Sequence, residues 1–275
     1  MQTANSGMNG ALEYLQKHHD TYETRYRGWI AAELELVLAE VNGDGHLVYS
    51  TRVHDVLVEL TRRYPDMMKY FGCEFWGGQL EVRTDPHPTV GALVAQLQGL
   101  VEIARGVARS MGYRLIAVEW IPWQVHVSYE LSPIKERYAE YASEHPDKVP
   151  AMCRVASLQF HVGVGNRDEA IVVYNRLADV LPKLVDEGWV HPERHAAFEG
   201  IIFPQWFPPK YETEADIYRH AVKRGFDKRP ALNYSAVRIH PQGSAELRIG
   251  GATDNWSLVT ARATRFLEIA GADAR

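Results

Sequence analysis

Glu33 and Glu35 are two carboxylates two residues apart inside the otherwise apolar stretch AAELELVLAEVNGDGHL, residues 31–47. In a strand, side chains alternate between faces, so Ala32, Leu34, Leu36 and Leu38 point one way and both glutamates the other. The scheme recurs further along the chain. Gln79, Glu81 and Arg83 oppose Leu80 and Val82, and Gln159 and His161 oppose Phe160 and Val162. Near the C-terminus Arg238 and His240, then Glu246 and Arg248, oppose Val237, Ile239, Leu247 and Ile249. If the apolar sides pack on helices, the polar sides form one surface bearing Glu33, Glu35, Glu81, His161, Arg238, Glu246 and Arg248. A solvated sheet face is the plain reading of any one of these strands. Such faces tend to carry Lys, Thr, Ser and Gln, whereas this one has no lysine and concentrates carboxylates, guanidiniums and imidazoles. Glutamates ligate hard cations through oxygen, and arginines grip phosphate or carboxylate through a planar fork. The conjunction therefore suits a substrate with several anionic groups clamped by a divalent metal.

Composition narrows the partners. With 275 residues, 46% of them hydrophobic and 24% charged, the chain reads as a globular protein able to bury a sizeable core. The net charge of −5 comes without a basic stripe, which argues against nucleic acid or an anionic membrane and for small molecules. Cys73 and Cys153 lie far apart among apolar or aromatic neighbours and read as buried free thiols. The N-terminus lacks the pattern of a signal peptide, and no run of about 18 consecutive apolar residues occurs, so a cytoplasmic setting is expected. Walker, HExxH and CxxC sequences are absent, and Gly163-x-Gly165 lacks a third glycine. His18, His19 and the HPERH stretch at 191–195 read as surface residues, and Trp76 and Trp206 as loop packing.

The elements that must position the polar face follow from pattern and turn chemistry. A weak helix is expected over 9–26, then a strand near 29–39 turning at Asn42-Gly43 and Asp44-Gly45 into a second near 46–49. Ser50 or Thr51 would cap a helix burying Val53, Val56, Leu57 and Leu60. Further helices are expected over Thr89 to Met111 with Gly112 as stop, from Ser132-Pro133 to about Ser143, from Arg167 to about Asp186 behind an Asn166/Glu169 capping box, over 213–224, and through DNWSLVTARATRFLEIAG. YRLIAVEW, QVHVSYE and RVASLQFHVGV read as strands, FEGIIFPQWFPPKYE as loop, and YSAVRIHPQGSAELRIG as a hairpin. Strands in hairpins separated by helices, without regular βαβ alternation, give an α+β fold with an antiparallel sheet covered on one side by helices. No linker divides the chain, so residues 28–275 are expected to form one domain after a helical N-terminal extension over 1–27.

AELELVLAEVNGDG, QLEVRT, QFHVGVGNRDEAIVVYNRLADVLPKL and RIHPQGSAELRI, in that order between about Gly28 and Gly271, resemble the carboxylate-amine ligases of the glutamate-cysteine ligase type 2 family. The resemblance implies an antiparallel sheet curved into a funnel, as in the glutamine synthetase catalytic fold, with helices outside. It implies ATP- and Mg²⁺-dependent amide formation, with a γ-glutamyl bond as one form, through an acyl phosphate. Glu33, Glu35, Glu81 and Glu246 would hold Mg²⁺ against the ATP phosphates. Arg238 and Arg248 would face phosphate or carboxylate oxygens, with His161 as a third catalytic group and Gln159 beside the arginines at the nucleotide. The partners implied are a small carboxylate and an amine, and assembly into a homo-oligomer stays open.

The sequence departs from the family pattern at three places. The acidic residue expected four positions before Glu81 is Gly77, with Glu74 nearby but out of register. The family's His-x-His reads Gln159-Phe160-His161, and the arginine-containing stretch after the long helix is shortened around 187–204, leaving Arg194 as the substitute. These departures keep open a non-catalytic or repurposed homologue that binds a nucleotide, metabolite or protein, and Mg²⁺-glutamate clusters also serve hydrolases and phosphotransferases. As a metal ligand projecting from a strand, Glu246 should be needed for turnover, and its loss should change stability little.

Overall fold

The computed structural model describes residues 2–134 and 136–272. Its centre is an antiparallel sheet built on β1 (Ile30–Val41), which pairs with β4 (Gln79–Arg83) on one side and β6 (Leu158–Gly163) on the other. The path runs β3 (Phe71–Cys73), β4, β1, β6, β8 (Ser244–Leu247), β7 (Val237–His240), while β2 (Leu47–Tyr49) and β5 (Tyr113–Ile116) pair with the far end of β1. Register fixes which side chains share a face. Glu33 stands opposite both Arg83 and Gln159, Glu35 opposite Glu81, and Glu246 opposite both His161 and Arg238. The alternating partners Leu34, Leu36, Leu80, Phe160 and Leu247 are fully buried on the other face.

That face is covered by α3 (Val90–Ser110), α6 (Arg167–Asp186) and α9 (Trp256–Ala270). α3 is long and apolar enough by composition to cross a bilayer, but Leu93, Leu97, Val101 and Ala104 are buried against the sheet. Thr89 caps it by accepting from the Ala92 amide, and Gly112 ends it with φ +85°. α2 (Val53–Arg63) buries Val53, Val56, Leu57 and Leu60 as its spacing requires. Neither Ser50 nor Thr51 caps it: the N-cap is Arg52 without a side-chain bond, and the Thr51 hydroxyl donates to Glu130 instead. Asn166 caps α6, but Glu169 spends its carboxylate on the Gly165 amide and Arg27, so only half of a capping box forms. α4 (Glu136–Glu144) begins later than expected, and α5 (Val149–Met152) and α7 (Pro192–Ala197) are short helices the pattern did not mark.

QVHVSYE is not a strand. Its segment is held as a loop by the Arg154 guanidinium, which donates to the carbonyls of Ile121, Pro122 and Val125, while Trp76 donates to Ser128 O. Alternating valines alone do not make a strand where side chains take the backbone carbonyls. Trp76 and Trp206 are fully buried and both cysteines are buried and free, as expected.

α1 (Gln2–His18) starts and stops earlier than expected and packs on α8 (Glu214–Arg224), where Tyr14 meets Tyr218 at 5.4 Å. His19, expected at the surface, is 4% exposed against the Tyr14 ring, because the chain turns inward after α1. In the HPERH stretch His191 is exposed and caps α7, but Arg194 is fully buried and His195 lies against Trp206 and Phe207. Burial pushes His19 and His220 of α8 down to about 4, helped by Arg167 and His18 at the first and by Arg224 and Lys223 at the second. The unfolded chain therefore takes up protons first. The stability each neutral imidazole contributes is full above about pH 6.5 and is lost as pH falls toward 4, on the order of 2 kcal/mol each. Thermal melts from pH 7.5 to 4.5 should show this decline, and His19→Phe, at a site where Nδ1 has no partner, should flatten it. An equally steep decline in the variant would assign the pH dependence to other groups.

Candidate active site

The other face of the sheet carries the residues singled out from the alternation, and their carboxylates fall into two groups. Glu33, His161 and Glu246 each offer an atom within 4.8 Å of the others. His161 shares a 3.2 Å hydrogen bond with Ser244 through Nδ1, which leaves Nε2 buried without a hydrogen-bond partner, 3.6 Å from Glu33. Glu246 is 0% exposed and sits between two guanidiniums: Arg238 Nε donates to one carboxylate oxygen at 2.5 Å and Arg248 Nη1 to the other. Burial would raise its carboxyl, but the arginines hold it well below the usual range. Arg248 also donates to Gln159 Oε1 at 2.6 Å, and Gln159 donates to Glu35 at 2.9 Å. One hydrogen-bonded chain thus runs from Arg238 through Glu246, Arg248 and Gln159 to Glu35.

Glu35 and Glu81 form the second group, joined by Glu74, which stands out of register with the family pattern. Glu35 is buried and pushed up to about 8 by desolvation and by Glu74, against the pull of Arg248, Arg194 and the Ser157 amide. Glu81 is raised well above the ordinary range by burial, by a hydrogen bond with Glu74 and by Glu33. Tyr138 of α4 donates to Glu74 at 3.0 Å. Crowded carboxyls with raised pKa values are oxygen donors that a divalent cation would return to the ionised form. The orphaned His161 Nε2 beside two carboxylates is a second place where the donors fit such an ion.

Two larger clefts open over this face. The wider, about 400 Å³, is lined by Tyr26, Trp29, Lys69, Arg83, Glu33 and His161 among others. The narrower, about 220 Å³, is lined by Glu74, Glu81, Arg137, Tyr138, Tyr234, Arg238 and Arg248 among others. Glu33, Arg83 and His240 border both. Burial lowers His240 to about 3, so its ring is neutral there.

The model of glutamate-cysteine ligase family 2 matches residues 30–185, more than half of the chain. The chain belongs to glutamate-cysteine ligase family 2. A candidate glutamate-cysteine ligase 2-2 of Mycolicibacterium vanbaalenii is 27% identical over 66% of this chain and 55% of its own length. A candidate glutamate-cysteine ligase 2 of Clavibacter michiganensis subsp. michiganensis is 26% identical over 76% of this chain and 58% of its own. The chain thus spans little more than half the length of the curated relatives it matches. The crystal structure of a bifunctional glutathione synthetase from Pasteurella multocida covers 95% of this chain and 41% of its own with a TM-score of 0.53 at 11% identity, a likeness of fold.

The three departures from the glutamate-cysteine ligase pattern look different in three dimensions. Gly77 could not carry an acidic side chain without moving the backbone, since a Cβ would meet the carbonyls of Thr51 and Glu130 at 3.1 and 3.2 Å. Glu74, next after β3, brings a carboxylate to Glu35 and Glu81. Gln159, where the family pattern has an imidazole, links Arg248 and Glu35. Arg194 does not line either cleft: it donates to Ile249 O at 2.7 Å and Ser157 Oγ at 2.8 Å, with Phe198 and Trp206 beside its guanidinium. Nothing in the alternation could have revealed Glu74 or the burial of Arg194, because both depend on chain outside the regular strands.

Proposed function

We propose that this protein is an ATP- and Mg²⁺-dependent carboxylate-amine ligase working through an acyl phosphate. The observation that carries the reading is the gathering of Glu33, Glu35, Glu74, Glu81 and Glu246 beside Arg83, Arg238 and Arg248 on one sheet face between two clefts. The wide cleft suits the nucleotide, with Trp29 and Tyr26 for the base and Lys69 toward the phosphates. The narrow cleft suits the carboxylate, which Arg137, Arg238 and Arg248 face. A carboxylate oxygen attacks the γ-phosphorus and ADP leaves. The amine then attacks the acyl carbon, and its C–O bond to phosphate breaks. Bound Mg²⁺ would supply charge neutralisation on the phosphates, held by Glu33 and Glu246 with His161, and by Glu35 and Glu81 with Glu74. Phosphoryl transfer of this kind needs positioning and charge, and no protein nucleophile. Arg238 and Arg248 hold Glu246 and one another's register, and Gln159 carries that order to Glu35. ATP chemistry on small molecules fits a cytoplasmic setting, and residues 28–275 would form the ligase-like unit.

The test is ADP release with Mg²⁺ against a panel of amino acids and amines, glutamate included. Release that needs both a carboxylate and an amine is the expected result. Phosphate release without amine dependence would mean a hydrolase, and ATP binding without turnover a repurposed homologue.

A further inference from the structure

Arg83 lies at the end of β4, directly across from Glu33 on β1. Its side chain is 40% exposed and borders both clefts. Of the three residues that do so, a carboxylate, an imidazole and a guanidinium, Arg83 is the one that is cationic at any working pH. Its guanidinium is also weakly committed. Nε lies 3.1 Å from Glu81 but is buried without a hydrogen-bond partner, and Nη2 makes one long bond of 3.4 Å to Phe71 O. Among the described residues Nη1 has no hydrogen bond. Arg238 and Arg248, by contrast, are already bound to Glu246, and Arg194 to backbone carbonyls. The neighbouring strand leaves room for the fork: Gly72 of β3 stands opposite Glu81, and a Cβ there would come within 3.4 Å of Arg83 Nη2.

We propose that Arg83 grips the phosphoryl group as it passes between the clefts. The inference rests on the ligase reading above. In that step a carboxylate oxygen forms a bond to the γ-phosphorus, the bond to the β–γ bridging oxygen breaks with its electron pair going to ADP, and no proton moves. The charge of the group in transit is spread over three equatorial oxygens. Glu33 and Glu81 flank the junction and would repel it. A guanidinium takes two such oxygens at once through its planar fork, which an ammonium does not. Arg83 is therefore placed to recognise the γ-phosphoryl and not the rest of the nucleotide.

Calorimetry of Mg·ATP and Mg·ADP binding to the parent, Arg83→Met and Arg83→Lys separates these possibilities. Arg83→Met should weaken Mg·ATP binding by about 10-fold or more and leave Mg·ADP within about 2-fold, with Arg83→Lys between. If Arg83→Met binds both nucleotides as the parent does, or loses both equally, the proposal is overturned while the ligase reading stands. If the parent binds neither nucleotide, both fall. Should Arg83→Met melt markedly below the parent, the ATP-to-ADP affinity ratio of Arg83→Lys decides, because that variant keeps the charge.

Discussion

Glu246→Gln is expected to lower turnover by about 10²-fold or more and also to lower stability by about 3 kcal/mol. The second effect corrects the expectation drawn from the sequence that Glu246 projects from its strand and matters little for stability. It is 0% exposed, and both carboxylate oxygens accept from arginines whose side chains are only 13% and 16% exposed. Neutralising it leaves two nearly buried guanidiniums facing an amide. Breaking a buried pair from one side is far more damaging than losing a surface charge. The melting temperature should fall by several degrees without any ligand, since about 1 kcal/mol corresponds to roughly 2–4 °C at this size. Arg248→Lys should share the loss of turnover, because Nη1 alone holds both Glu246 and Gln159 and a lysine places its nitrogen one bond short of that position. A Glu246→Gln protein that melts with the parent and keeps its activity would mean that the charged chain from Arg238 to Glu35 organises nothing.

Arg194→Met is expected to destabilise the fold by about 3 kcal/mol and to distort the pH profile of whatever activity survives. Arg194 is fully buried, and desolvation pulls it down to about 10. Its loss leaves the Ile249 carbonyl and the Ser157 hydroxyl without their donor. Ser157 also donates its amide to Glu35 at 2.7 Å, so the change reaches the active face through one residue. Removing a nearby cation should raise the Glu35 carboxyl further above 8 in the metal-free protein. Metal and nucleotide binding should then demand a higher pH than in the parent. The sequence pattern had offered Arg194 as a substitute for an arginine of the family's active site. A substrate-contacting arginine would give the opposite signature: a raised KM, an unchanged melting temperature and an unshifted pH profile.

The fold was legible where the physics is periodic. The Glu33/Leu34/Glu35/Leu36 alternation, its counterparts at 79–83, 158–162 and 237–249, and the capped helices at Thr89 and Asn166 all stand close to their expected places. Pattern failed where side chains compete with the backbone. Arg154 takes three carbonyls of the 121–125 turn, and a run that alternates like a strand becomes loop. The polar face itself was legible as a set of residues but not as a circuit. Alternation says that Glu246 and Arg248 share a side; only the pairing of β8 with both β6 and β7 says that Glu246 is enclosed. Glu74 stood out of register because β3 is three residues long and offers no period, and the raised carboxyls follow from three-dimensional crowding that spacing cannot report.

The central claim is that a carboxylate is activated by phosphorylation on this face. Turnover with a carboxylate labelled with oxygen-18, in ordinary water and with the amine partner found by the ADP panel, tests it directly. An acyl phosphate intermediate requires one labelled oxygen to leave with each phosphate, because the carboxylate oxygen that attacks phosphorus is the one the amine later displaces. Phosphate carrying one oxygen-18 per ADP formed is the predicted result. Unlabelled phosphate would contradict the account, since water and not the carboxylate would then have taken the phosphoryl group.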